Sequence, residues 1–196
     1  MVFWGNKDTS VYFCEDKYTK SKYIAEYYNT FSGISYCLVG YYFYNKQIKD
    51  IGIILYLLGV GTCLLHATQR YYGQWLDECS MLTLSFFIIK RLRLKQGKMT
   101  KNNILVLMLM IYFYFESIFC YFLLLFISLL IYIYLIAKKM DINKLYFKIY
   151  LNVFIISAVC WALDQVLCDY VKKYYLHAIW HVGTSISIFF GIKSIL

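Results

Sequence analysis

Apolar residues fall along this chain in long unbroken runs, not in the alternating pattern of a half-buried strand or the one-faced pattern of a surface helix. The runs cover residues 24–44, 50–68, 76–89, 103–115, 117–136, 146–167 and 175–192. Polar stretches separate them: Asn45 to Lys49, Arg70 to Gln74, Lys90 to Asn103, Glu116, Lys138 to Lys144, and Asp169 to Lys173. The hydrocarbon core of a bilayer is about 30 Å thick and takes about 20 apolar residues per helical pass. The stretch from Ile104 to Ala137 exceeds one ordinary pass and suffices for two with a tight turn at Glu116; one long tilted helix is the alternative. The pattern therefore predicts an all-α polytopic membrane protein, with seven transmembrane helices in one bundle. No repeat or change of composition divides residues 1–196 into further domains.

Composition narrows the class. The chain is 61% hydrophobic, 21% aromatic and only 16% charged, and it has no proline. Soluble domains are nearer one quarter charged, so a soluble fold, a disordered chain and a soluble disulfide scaffold are all excluded. The formal charge of +9 does not point to nucleic acid, because the basic residues cluster between apolar runs and form no amphipathic basic face. Residues 1–23 carry Lys7, Asp8, Glu15, Asp16, Lys17, Lys20 and Lys22. They lack the apolar centre of a cleavable signal peptide, so the first pass is expected to act as the signal.

Charge also sets an orientation. In a seven-pass arrangement the N-terminus and even-numbered loops carry 7 of the 20 Lys and Arg, and the other side carries 13. The denser side, including Lys90, Arg91, Arg93, Lys95, Lys98 and Lys101, is expected in the cytoplasm. The N-terminal segment 1–23 is then lumenal or extracellular and the C-terminus cytoplasmic. Nine of the eleven acidic residues fall on the lumenal side, with only Asp50 and Asp141 opposite.

All three histidines fall on that lumenal side. His66 closes the second pass, and His177 and His181 open the seventh, four residues apart and so on one helix face. With a third imidazole from a facing helix they form the donor set of a zinc site with an open position. Thr62 lies one turn before His66, while Glu26, Asn29, Asp77, Glu78 and Asp164 fall at the same level, where ionisable residues face a cavity or a partner. Asp77 and Glu78 are about 100° apart on a helix, so one of them is expected to turn inward; Asp77 is preferred, either to hold and deprotonate a metal-bound water or to accept from the outer nitrogen of a histidine. Tyr27, Tyr28, Trp75, Tyr174, Tyr175 and Trp180 are candidates to line a lipid entrance, though most of them fit an interfacial aromatic belt.

These residues sit in an ordered set of motifs: Trp4-Gly5, Cys14-Glu15, YIAEYYNT ending at Thr30, GVGTCLLHATQ from Gly59 to Gln69, GQWLDECSM from Gly73 to Met81, WALDQVLCD from Trp161 to Asp169, and LHAIWH from Leu176 to His181. In order and spacing the set resembles the alkaline ceramidases. Residues 90–150 match them only as membrane helix. The resemblance implies a seven-pass bundle in the endoplasmic reticulum or Golgi that cleaves the amide bond of ceramide, giving a sphingoid base and a fatty acid. It implies zinc on His66, His177 and His181, with Asp77 and the hydroxyl of Thr62 assisting. The family typically has serine at that position, and threonine adds a methyl group beside the reacting carbonyl.

In some alkaline ceramidases the N-terminal segment also holds calcium, through positions matching Tyr12, Phe13, Glu15, Lys17 and Glu26, where the family pattern has Asp, Trp, Glu, Asn and Glu. This chain keeps Glu15 and Glu26 but loses two side-chain oxygens. Calcium takes six to eight oxygens, so the Lys17 ammonium is expected to pair with one or both glutamates in place of the ion. Of the seven cysteines, Cys14 and Cys168 lie outside the hydrocarbon on the lumenal side and are expected to form a disulfide. The partners expected are ceramide and membrane lipid. Two other readings remain open at this stage: a receptor-like relative with the same three-histidine site, and a small ion or proton transporter whose polar cluster is the conduction path.

Overall fold

In the computed structural model, residues 3–114 and 119–196 are described, with side chains in the second stretch from residue 121. Among them every regular element is helical. The helices are α1 (Tyr27–Ser32), α2 (Ile34–Asn45), α3 (Lys49–Thr68), α4 (Tyr71–Lys95), α5 (Asn103–Tyr114), α6 (Phe119–Ala137), α7 (Lys144–Val166), α8 (Cys168–Val171) and α9 (Leu176–Ile195), with a short 3-10 turn over Lys172–Tyr174. Each apolar run of the sequence lies mainly in one helix, except the first, which is bent between α1 and α2. The bend has a local cause. Ser32 and Ser35 donate their hydroxyls to the carbonyls of Asn29 and Ser32, and the main-chain bonds at Gly33 and Tyr36 step back three residues instead of four, which tightens and turns a helix.

Helix α4 is longer than its apolar run. It starts at Tyr71, inside the stretch read as a separator, because Gln74 is buried and bonds the N-terminal segment. It continues to Lys95, where Arg93 and Lys95 in the last turn suit the negative end of the helix dipole. The expected turn at Glu116 lies outside the described residues. On either side of it, Asn102 meets Lys90 and Tyr112 meets Glu78, whereas Phe122 packs with Cys79 and Leu82, and Ile133 with Ile89 and Leu92. Helices α5 and α6 therefore run in opposite directions along α4.

Among the described residues, α3, α7 and α9 are long and apolar enough to cross a membrane, and the parts of α5 and α6 described with side chains are apolar stretches of fewer than 18 residues. α3 packs between α2 and α4, α9 between α2 and α7, and α5 and α6 pack against α4, with α6 also facing α7 and α9 across the cavity. Tyr36, Phe43, Ile51, Leu55, Leu58, Leu84 and Ile192 fill the centre between α2, α3, α4 and α9. Close approach of α3 to α4 requires glycine. A side-chain carbon at Gly61 would lie 2.5 Å from the main-chain nitrogen of Asp77, and one at Gly73 would lie 2.5 Å from that of Leu65. This contact sets the spacing between the helix that carries Thr62 and His66 and the helix that carries Asp77. Gly61→Ala should push the two apart and lower stability by about 1 to 3 kcal/mol, as overpacking of a tight interface does; a reduced unfolding temperature in detergent is the measurement, and an unchanged one would show that the contact yields freely.

Candidate metal centre

His66 stands in the last turn of α3, and His177 and His181 stand in the first two turns of α9. The two helix ends meet, so the three rings face one another with centroids 5.1, 4.9 and 4.5 Å apart. One ligand atom from each lies within 4.8 Å of the others. All three residues are at most 4% exposed.

The supporting contacts decide which nitrogens are left over. His66 Nδ1 lies 2.5 Å from Glu26 Oε2, and a carboxylate can only accept, so Nδ1 carries the hydrogen and Nε2 keeps its lone pair. His181 Nδ1 lies 2.7 Å from Ser32 Oγ. That hydroxyl already donates to the Asn29 carbonyl, so the imidazole again donates from Nδ1 and leaves Nε2 free. His177 Nδ1 is buried with no hydrogen-bond partner among the described residues. Buried nitrogens without partners are costly, and metal-binding imidazoles are characteristically held by such outer contacts on the opposite nitrogen. The three histidines fit one metal ion.

Asp77 lines the same cavity and is hydrogen-bonded to Thr62 Oγ1. The methyl of Thr62 points at the bend between α1 and α2, where a side-chain carbon on Gly33 would come within 3.0 Å of it. The extra methyl is thus absorbed at a helix junction rather than placed against a reacting group. Glu78 turns inward as well, contrary to the expectation that only one of the two acids does so, and it is the more buried of the two, Asp77 being half-buried on the cavity wall. Glu78 accepts from Tyr112 Oη at 2.7 Å and from Gln74 Nε2 at 2.9 Å. Helix α4 lies between α3 and α5, so both of its faces are interior. The Asp164 carboxylate reaches main chain rather than imidazole: it receives the main-chain N–H of Cys14 at 3.3 Å and faces that of His177.

The N-terminal segment roofs this end of the bundle. Phe13 packs on His66 and His177, with ring centroids 4.5 and 4.3 Å away. Cys14 and Cys168 meet in a disulfide with Cα atoms 5.3 Å apart. Glu15 Oε1 and Oε2 accept the main-chain N–H groups of Tyr28 and Asn29 at 2.8 and 2.9 Å, capping the start of α1. Burial pushes the Glu15 carboxyl above its ordinary pKa, and these two N–H groups oppose that shift. Lys17 is ion-paired with Glu26. Sequence reasoning missed Ser32, and it named Phe13 only as a position of the implied calcium site, not as the ring that covers the histidines. Ser32 had a signal, since Glu26, Asn29 and Ser32 recur every three residues; Phe13 lies in an irregular segment with no periodicity to read.

Below the histidines a cavity of about 380 Å³ runs into the bundle between Phe126 and Leu130 of α6, Phe154 of α7 and Trp180 of α9. A second hollow of about 90 Å³ shares Tyr36, Tyr150 and Trp180 with it and continues to Leu92, Ala137 and Ile195. Of the six candidate entrance aromatics, only Trp180 lines the main cavity.

The sequence profile of the Ceramidase family matches residues 5–195. The chain is similar to alkaline ceramidase 1 of Mus musculus, at 27% identity over 95% of this chain and 78% of that protein. It is similar also to the alkaline ceramidase of Arabidopsis thaliana, at 28% identity over 93% and 81%, and to that of Drosophila melanogaster, at 26% over 86% and 70%.

Removing the charge that supports His66 tests the centre directly. Glu26→Gln should weaken metal retention about 10- to 100-fold, the usual effect of losing such an outer contact, measured as metal content after titration with a chelator. Unchanged retention would mean that the Glu26–His66 bond does not serve metal binding.

Proposed function

This chain belongs to the ceramidase family, and from that premise we propose that it is a zinc-dependent membrane amidohydrolase, cleaving the amide bond of ceramide to a sphingoid base and a fatty acid. The observation that carries this reading is the trio of buried histidines within 4.8 Å of one another, at the head of an apolar cavity whose wall includes Asp77. Three imidazoles and an open position suit catalytic zinc. The apolar depth below them suits a substrate with long hydrocarbon tails.

Zinc held by His66, His177 and His181 would supply polarisation of the amide carbonyl and a water pKa lowered to about 7. The chain's own residues do the rest. The Asp77 carboxylate takes a proton from the attacking water while Thr62 fixes its orientation. Once protonated, Asp77 can donate to Thr62 Oγ1, and the single threonine hydrogen is then shared between the Leu58 carbonyl, 2.9 Å away, and the oxyanion that forms on the former carbonyl. Asp77 then returns its proton to the amide nitrogen as the C–N bond breaks, so that one water is consumed and an acid and an amine leave. Phe13 and the apolar walls keep bulk water from the reacting atoms, which strengthens each of these interactions.

The same reading gives seven passes, with α1 and α2 forming the first together, then α3, α4, α5, α6, α7 and α9. The Lys and Arg asymmetry supports a lumenal N-terminus and a cytoplasmic C-terminus, in the endoplasmic reticulum or Golgi. A lumenal N-terminal segment suits the Cys14–Cys168 bond, since that compartment is oxidising.

Two measurements test the proposal. His177→Ala should remove zinc and ceramide hydrolysis together, whereas Asp77→Asn should keep zinc and lose about 10²- to 10⁴-fold in turnover, read as fatty acid released in detergent; full activity from a zinc-free His177→Ala protein rejects the mechanism. For the topology, mass spectrometry of non-reduced protein made in the secretory pathway should recover the Cys14–Cys168 cross-linked peptide. Two free thiols there would reject the lumenal placement.

A further inference from the structure

The N-terminal segment folds around a single nitrogen atom. Lys17 Nζ donates to the carbonyls of Phe13 and Glu15, at 2.6 and 2.9 Å, and forms an ion pair with Glu26 Oε1. The Tyr12 ring centroid is 4.7 Å away. An ammonium has three hydrogens to give, and here three oxygens receive them. Carbonyl and carboxylate oxygens converging on one point are also what a hard cation seeks, but this point is filled by the chain's own charge.

The surrounding donors do not suit calcium, which needs six to eight oxygens. Tyr12 presents a ring face instead of an oxygen. Both Glu15 carboxylate oxygens are used by the start of α1, and Glu26 Oε2 is used by His66 and by the Asn29 amide at 3.2 Å. A second cation, Lys7, lies 5.2 Å from the same tyrosine ring. Its pKa is lowered by burial and then by the like charge of Lys17, so the neighbourhood already disfavours more positive charge.

We propose that Lys17 is a built-in cation that takes the place of a divalent ion, making the protein independent of calcium, and that it acts as a positioning residue by holding Glu26 against His66. Its effect on the metal centre passes through two contacts, Lys17 to Glu26 and Glu26 to His66. The link to catalysis rests on the proposed function; the cation replacement itself does not.

The experiment uses the full-length zinc-loaded protein and follows unfolding temperature, zinc retention against a chelator, and ceramide hydrolysis, across free calcium from chelated to millimolar. For the native sequence none of the three should move with calcium. Lys17→Asn should lower the unfolding temperature by about 5 °C, the order expected for losing a partly buried ion pair in a chain of this size, and should weaken zinc retention about tenfold. Lys17→Arg, which keeps the charge, should restore most of both. A native protein whose unfolding temperature rises with micromolar calcium and falls with calcium chelation overturns the proposal. So does a Lys17→Asn protein that retains zinc normally, whether or not its stability falls, because the lysine then acts on the segment alone. If Lys17→Asn does not fold, the calcium titration of the native protein still decides. Absence of ceramide hydrolysis in every sample would count against the proposed function, while the thermal and zinc readings would still judge Lys17.

Discussion

A carboxylate with no exposed surface must be met by donors on every side, and Glu26, which is fully buried, is the constraint from which this end of the molecule is built. Its two oxygens are met by His66 from α3, Asn29 from α1 and Lys17 from the N-terminal segment. Main-chain bonds reinforce the junction. Ala25 and Glu26 donate to the carbonyls of Ala67 and His66 at 2.9 and 3.0 Å, and Tyr18 donates to Ala25 at 2.7 Å. An unpaired charge at this depth would cost several kcal/mol, so the helix end, the bend and the roof are fixed together.

From that junction one face of α1 serves the whole centre. Glu26, Asn29 and Ser32 follow at three-residue spacing; the first supports His66, the second supports Glu26, and the third supports His181. The serine contact ties α1 to α9, and the Tyr36 hydroxyl bonds Thr184 at 2.6 Å one turn further on. The same short helix thus sets the orientation of histidines that enter from two different elements.

Much of this was legible in the sequence, for identifiable reasons. Apolar runs give α3, α7 and α9 because bilayer thickness fixes their length, and the four-residue spacing of His177 and His181 gives a shared face because helix geometry is local. The ends of α4 were not legible, since Gln74 and Glu78 are polar residues buried by neighbours distant in the chain. Nor does spacing show that Glu26 supports a histidine 40 residues away, or that Gly33 accommodates the Thr62 methyl. Those are consequences of which surfaces meet, and the residues on one side of a contact carry no mark of the other.

The roof over the histidines has a kinetic consequence. Phe13 covers the centre from the N-terminal side while the cavity extends the other way among apolar side chains of α6, α7 and α9. Under the proposed reading, a lipid would reach the centre and its products would depart within the plane of the bilayer, never crossing bulk water. The quantity that governs encounter is then the mole fraction of lipid in the surrounding leaflet. Diluting a vesicle suspension at fixed membrane composition leaves that fraction, and with it the turnover of each molecule, where it was.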